Sequence, residues 1–242
     1  MSQDSLLEDF VDRMVAVGAI SIRDVDAGET PFLYSSGNFG PGYLMVKGLV
    51  SQRKLLEALV GHLAYKVLDI FPDVEYVAGN ATGGMVPAWI MAGKLSELLG
   101  REVPYFYVRN TRKKGGHNEL LTGDKYNDFF VPGRRGLVLE ELVNFAETTC
   151  NSALVQREAG FDVRFAAAIA SYDQPKAREL LRETDVELIE LLTIKRMLES
   201  LEDRGTFQPH LIASWKEFLA SPMEWQRKRG ITPNPKEGVQ HG

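Results

Sequence analysis

With 242 residues, 44% of them hydrophobic, the chain can bury the core of one large domain with appendages, which excludes a disordered protein. A formal net charge of −5 argues against nucleic-acid binding through the overall field, and a single cysteine, Cys150, excludes an intrachain disulfide and a cysteine-based zinc cluster. No apolar run approaches the roughly 18 to 20 residues of a membrane span, and the start MSQDSLLEDF carries neither a basic nor an apolar leader segment, so a soluble cytoplasmic protein is expected.

In chain order, residues 5–17 place Leu6, Leu7, Phe10, Val11, Met14 and Val15 on one face of an amphipathic helix. Glycines and a proline punctuate residues 28–48, which read as short strands and turns forming a hood. Residues 51–69 return to helical periodicity through Leu55, Leu56, Leu59, Val60, Leu63 and Val67. From there strands at 74–78, 105–108, 137–139 and 165–170 alternate with helices at 85–99 and 153–160. Residues 176–203 read as a helix, a short strand near Glu187 and another helix, and the tail around Trp215 and Trp225 as a docked helix before a Pro/Gly-rich end. Both tryptophans suit core anchors better than ligand contacts.

This alternation predicts an α/β fold with a mostly parallel central sheet flanked by helices, preceded by the N-terminal hood and followed by a helical tail. The expected organisation is residues 1–50 as helix and hood, 51–205 as the core and 206–242 as the tail, within one structural domain overall. Ligands in such folds bind at the carboxyl ends of the strands, so the loops at 79–84, 109–123 and 140–152 should share one rim.

Each of these loops carries its own chemistry. Gly79-Asn80-Ala81-Thr82-Gly83-Gly84 allows close approach of backbone to a ligand and offers successive N–H groups to an anion, yet it matches neither a P-loop nor GxGxxG. Arg109-Asn110-Thr111-Arg112-Lys113-Lys114-Gly115-Gly116-His117 is a basic, glycine-bearing loop in an acidic protein, suited to closing over a polyanion. His117 has no partner at metal-ligand spacing. In the third loop an apolar strand meets Glu140 and Glu141, and Thr148-Thr149-Cys150-Asn151-Ser152 reads as a hydroxyl-rich turn before a helix, a place for sugar hydroxyls and a phosphate.

Taken together these segments resemble a type I phosphoribosyltransferase, and specifically an orotate phosphoribosyltransferase. Phe32 to Gly37 with Pro41, Tyr43 and Lys47 is similar to the family's hood. Residues 78–84 resemble its pyrophosphate loop, Tyr107-Val108-Arg109 with Lys113 and Gly123 its catalytic loop, residues 137–152 its PRPP-binding motif, and Trp215 with Ser221-Pro222-Met223-Glu224-Trp225 the tryptophan-bearing tail of one subset. The resemblance implies transfer of the phosphoribosyl group of 5-phosphoribosyl 1-diphosphate (PRPP) to orotate, giving orotidine 5′-phosphate and diphosphate in pyrimidine biosynthesis, with Mg²⁺ held mainly by the diphosphate and no direct protein ligand. It implies catalytic roles for Arg109, Lys113, His117, Glu140 and Glu141. Contacts to PRPP would come from Ala81, Thr82, Gly83, Gly84, Arg109, Lys113, Lys114, Thr148, Thr149, Asn151 and Ser152, and contacts to the base from Ser35, Ser36, Gly37, Tyr43 and Lys47. PRPP and orotate are then the partners, in a homodimer that uses neither nucleic acid nor membrane.

Four departures from the family pattern stand out. Glu-Glu replaces Glu-Asp, with roughly four extra residues within Leu142 to Glu147 before a turn whose glycines have become Cys150 and Asn151. The catalytic-loop histidine is displaced to His117. Ser35 stands where many members have lysine, and Ser171-Tyr172-Asp173-Gln174 lacks an arginine for a carboxylated base. The rival readings are a catalytically silent member of the fold that senses nucleotide or PRPP or binds a protein, and a phosphoribosyltransferase for another base.

Overall fold

The structure, a computed structural model, describes residues 3–34, 36–109 and 120–233. It consists of two compact units, one formed by Val46–Ile194 and the other by Met1–Met45 together with Lys195–Gly242. The second unit begins with helix α1 (Gln3–Ala16) and two small antiparallel ribbons, β1 (Ile20–Ile22) with β4 (Gly42–Leu44) and β2 (Phe32–Leu33) with β3 (Phe39–Gly40).

The larger unit opens with a 3₁₀ turn (Val46–Ser51) and α2 (Arg53–Ile70), whose Leu55, Leu56, Leu59, Val60, Leu63 and Val67 are buried as the periodicity predicts. Then follow β5 (Tyr76–Asn80), α3 (Met85–Leu99), β6 (Tyr105–Val108), β7 (Leu121–Thr122), β8 (Arg135–Val143), α4 (Glu147–Glu158), β9 (Asp162–Ser171), α5 (Pro175–Glu183) and β10 (Glu187–Thr193). They build one sheet in the order β10-β9-β8-β5-β6-β7, parallel except for the β6–β7 pair. β5 is buried throughout and β9 is lined by Ala166, Ala167, Ala168 and Ala170, all buried, so helices can cover both faces closely. Gly136 is dictated by packing, since a Cβ there would fall 2.2 Å from the buried ring of Tyr76.

Three expectations are corrected. The first strand lies at Tyr76–Asn80 rather than 74–78, because its pairing with β6 continues to Asn80↔Val108. The strand read as 137–139 runs from Arg135 to Val143, held over its length by β9 as far as Val143↔Ser171. The helix read as 153–160 already starts at Glu147, the Cys150 N–H bonding to the Ala146 carbonyl at 2.9 Å. The hydroxyl-rich residues 148–152 therefore form the first turns of a helix, and the residues taken as an insertion are the end of β8 and the connection Asn144 to Ala146. Left-handed backbone falls on Ala146 (φ 61°), not on Cys150 or Asn151, and Cys150 is helical and buried.

The smaller unit is completed by α6 (Ile194–Asp203), α7 (Pro209–Ala220) and α8 (Pro222–Lys228). The tail is thus two helices rather than one, because Pro222 has no N–H to continue α7 and starts α8 instead. Trp215 and Trp225 are fully buried, and a Cβ on Gly42 would fall 2.0 Å from the Trp215 ring. Gln226, fully buried, accepts from the Phe39 N–H (2.8 Å) and donates to Asn38 Oδ1 (3.1 Å), which ties the tail to the hood residues of the same unit. No helix among the described residues is long and apolar enough to cross a membrane.

Candidate functional site

The chain leaves β5 toward β6 on one side, while β8, β9 and β10 lie on the other, so the sheet has its topological switch point between β5 and β8. A crevice opens at the carboxyl ends of the strands at such a point. Here β5 pairs with β8 only as far as Gly79↔Leu139. The next residues, Asn80 and Glu140, face one another where the ladder has ended.

Glu140 is 6% exposed. Its Oε1 accepts from Asn80 Nδ2 (2.5 Å), from the Thr148 hydroxyl (2.9 Å) and from the Thr149 hydroxyl (3.5 Å). Burial pushes its pKa up to about 7, reinforced by the neighbouring Glu141 and opposed by the three donors. Glu141 points to the other face of β8, as alternation in a strand demands. Its carboxylate lies against the loop after β5, so that a Cβ on Gly83 would fall 1.8 Å from a carboxylate oxygen. Burial raises the Glu141 pKa as well, with Lys47 pulling it back.

The loop after β5 is held tightly. A Cβ on Gly84 would fall 2.3 Å from the Leu139 carbonyl oxygen, which explains a glycine there without any left-handed backbone. Lys47 Nζ donates to Thr82 Oγ1 at 2.8 Å, and the Ala81–Thr82 peptide is cis. Arg109, just past β6, is half-buried and donates to Thr122 Oγ1 (3.1 Å) and Tyr107 Oη (3.4 Å). Asn80, Val108, Arg109, Glu147, Thr148, Asn151 and Ser152 line a cavity of about 150 Å³ at this rim. A larger cavity, about 440 Å³, shares none of these residues and lies beside α5 and β10, with Val143 and Ser171 in its lining.

The larger unit thus brings together Ala81, Thr82, Gly83, Gly84, Lys47, Arg109, Glu140, Glu141 and the start of α4. Within α4, Thr148 and Asn151 are exposed, whereas Thr149 and Ser152 are buried, the former on Glu140 and the latter bonded to Gln156 Nε2 (3.1 Å). Ser36, Gly37 and Tyr43 belong to the smaller unit. Gly37 turns the chain there with φ 83°, the Ser36 hydroxyl receives the Asn38 N–H (3.4 Å), and the Tyr43 ring packs on Phe32 and Tyr34. Ser35, Lys113, Lys114 and His117 lie outside the described residues.

Two features of the site escape the sequence reading. Asn80 was visible only as the one polar side chain closing an apolar strand, and Glu147 as an acid at the new start of α4, where α4 has no side-chain cap. Among the described residues no cluster of three or more His, Cys, Asp or Glu could hold a metal ion.

No protein-family model matches the chain. It is 27% identical over 198 residues to the orotate phosphoribosyltransferase of Streptococcus sanguinis (strain SK36), covering 82% of this chain and 90% of that protein. Among solved structures, the orotate phosphoribosyltransferase of Aeropyrum pernix superposes with a TM-score of 0.63 at 24% identity, covering 81% of this chain and 98% of that one. The Leishmania donovani UMP synthase gives a TM-score of 0.67 at 19% identity over 88% of this chain, which spans only 42% of that longer protein. The chain has the type I phosphoribosyltransferase fold and is similar, over most of its length, to orotate phosphoribosyltransferases.

Proposed function

We propose that the protein transfers the 5-phosphoribosyl group of PRPP to orotate, giving orotidine 5′-phosphate and diphosphate, a pyrimidine-nucleotide-forming step in keeping with the orotate phosphoribosyltransferase name of its relatives. The observation that carries this reading is the meeting, at one switch point, of the glycine-tight loop 81–84, the Arg109 guanidinium, the Glu140–Glu141 pair and the α4 N-terminus. In the reaction the bond from ribose C1 to the diphosphate oxygen breaks and a bond from C1 to a base nitrogen forms. Little covalent help is needed; the departing charge must be neutralised, the ribose held and water kept away.

Arg109 and the backbone of 82–84, with Lys47 on Thr82, supply positive potential for the diphosphate, and Lys113 and Lys114 join them by resemblance. Glu140 and Glu141, on opposite faces of β8, take the ribose hydroxyls, and the free N–H groups at the start of α4, with Thr148, take the 5′-phosphate. Mg²⁺ prefers oxygen donors and keeps several waters. The described rim offers no ligand set of its own for such an ion, since no cluster of three or more His, Cys, Asp or Glu stands there and Glu140 Oε1 is taken by three protein donors, so the oxygens that hold it would be those of the diphosphate. When bound, Mg²⁺ neutralises charge on the leaving group. A cytoplasmic homodimer is the form in which we place the reaction.

The test mixes the purified protein with PRPP, Mg²⁺ and orotate and follows the loss of orotate absorbance. Turnover is expected. Absence of turnover while PRPP still raises the melting temperature would replace this reading with the silent, ligand-sensing one, because a ligand that binds only the folded state stabilises it without chemistry.

A further inference from the structure

Asn80 is 3% exposed at the end of a strand whose every residue is buried. Both N–H bonds of its amide are used, one on Glu140 Oε1 (2.5 Å) and one on the Thr148 carbonyl (3.3 Å). Its Oδ1 is buried without any hydrogen-bond partner. Exchanging the amide atoms does not relieve this, since it would set an oxygen against the Thr148 carbonyl, which has no proton to give. Other buried amides are complete at both ends: Gln156 accepts from Tyr76 Oη (3.0 Å) and donates to Ser152, and Gln226 is bonded at both its atoms. The unpartnered oxygen belongs to a residue that lines the 150 Å³ cavity, alongside Arg109, Thr148 and Asn151. A buried acceptor beside a cavity calls for a ligand that donates.

We propose that Asn80 is a positioning residue of this site, its nitrogen fixing the Glu140 carboxylate and its oxygen receiving a hydroxyl of the ribose. This rests on the phosphoribosyltransferase reading for the identity of the sugar, but the hold on Glu140 does not. A hydroxyl is the fitting donor because its own oxygen can accept from the Arg109 guanidinium on the same cavity wall. The amide thereby couples the orientation of the carboxylate to the presence of the sugar. Among the described residues the charged group acting on Glu140 is Glu141 beside it on β8, while Arg109 and Glu147 stand with Asn80 and Thr148 on the cavity wall, and its remaining donors are the Thr148 and Thr149 hydroxyls.

The test titrates the Glu140 carboxyl by ¹³C NMR in glutamate-labelled protein, its resonance assigned by its loss in Glu140→Gln. In Asn80→Leu the midpoint should rise by about one pH unit, because a donor to the charged form is gone, and in Asn80→Asp it should rise further as two carboxyls share one proton. In turnover assays Asn80→Leu should lower kcat at least about tenfold and raise KM for PRPP as the hydroxyl contact is lost. D-ribose 5-phosphate should raise the melting temperature of the wild type and fail to raise that of Asn80→Leu. Asn80→Asp, nearly isosteric, serves if the leucine variant does not fold. A Glu140 midpoint equal to wild type overturns the hold on the carboxylate, and an undiminished response to ribose 5-phosphate overturns the hydroxyl contact. If the wild type shows no turnover, the phosphoribosyltransferase reading fails, while the midpoint and the melting response still judge Asn80.

Discussion

Two buried amides, one in each unit, differ in kind: one is bonded at both of its atoms and the other leaves its oxygen open to a ligand. Gln226 in the smaller unit is fully buried and satisfied, bonded to Phe39, Asn38 and the Pro222 carbonyl. Asn80 at the crevice of the sheet is nearly as buried but leaves its oxygen unpartnered. A buried polar group left unpaired costs about 1–3 kcal/mol, so the first amide contributes to folding while the second spends stability at the site. The difference separates structural polarity from functional polarity within one chain.

The contrast can be broken by substitutions whose effects should fall on activity in one region and on stability in the other. The largest effect is expected for Arg109→Ala, which should lower kcat by about 100- to 1,000-fold by removing a preformed donor for departing charge, with a melting temperature shifted by only a few degrees. Turnover near wild type would show Arg109 to be a strut between Thr122 and Tyr107. Gln226→Leu should do the opposite. It strands the Phe39 N–H and the Asn38 side chain and should lower stability by about 2–4 kcal/mol, read in denaturant melts.

A third expectation concerns pH. The folded protein holds the Glu140 proton up to about 7, whereas the unfolded chain releases it near 4.5. Between those values the native state binds more protons, so stability falls as pH rises, by at most about 3 kcal/mol in total. Melting temperatures of wild type and Glu140→Gln should therefore diverge from pH 4.5 to 7, with the variant flatter. Parallel curves would mean that Glu140 is ionised throughout.

Smaller effects are expected at the start of α4. Glu147 puts an exposed carboxylate on the first turn of the helix proposed to receive a phosphate. Charge repulsion of about 1 kcal/mol would make Glu147→Gln lower the KM for PRPP about fivefold. Ala146 sits at φ 61° with a Cβ, so Ala146→Gly should stabilise the protein by up to about 1 kcal/mol in the same denaturant melts. A loss of stability instead would mean that the methyl group, buried at 3% exposure, packs better than the strain it brings.

The core strands and helices were legible because burial on a sheet or helix face imposes a local period. Thus α3 and β6 fall at the residues their patterns indicate, and α2 buries the expected stripe. The start of α4 was not legible. Thr148 and Thr149 look like turn residues because their hydroxyls compete for backbone groups in an isolated chain, whereas here both are turned onto Glu140, a strand residue eight and nine positions away. The same blindness applied to the acid pair, read as the end of a strand when β9 in fact carries the ladder on to Val143.

The composition and apolar rhythm of the sequence alone determined an α/β chain with a parallel core and a rim of glycine, basic and acidic loops, because these follow from the spacing of neighbouring residues. Only the tertiary structure decided that residues from both chain ends form one unit, that Glu140 and Glu141 point to opposite faces of β8, and that Asn80 meets Glu140 sixty positions away. Those outcomes depend on where β5 and β8 stop pairing and on which buried polar atoms find partners, and long-range contacts of that kind leave no period in the chain.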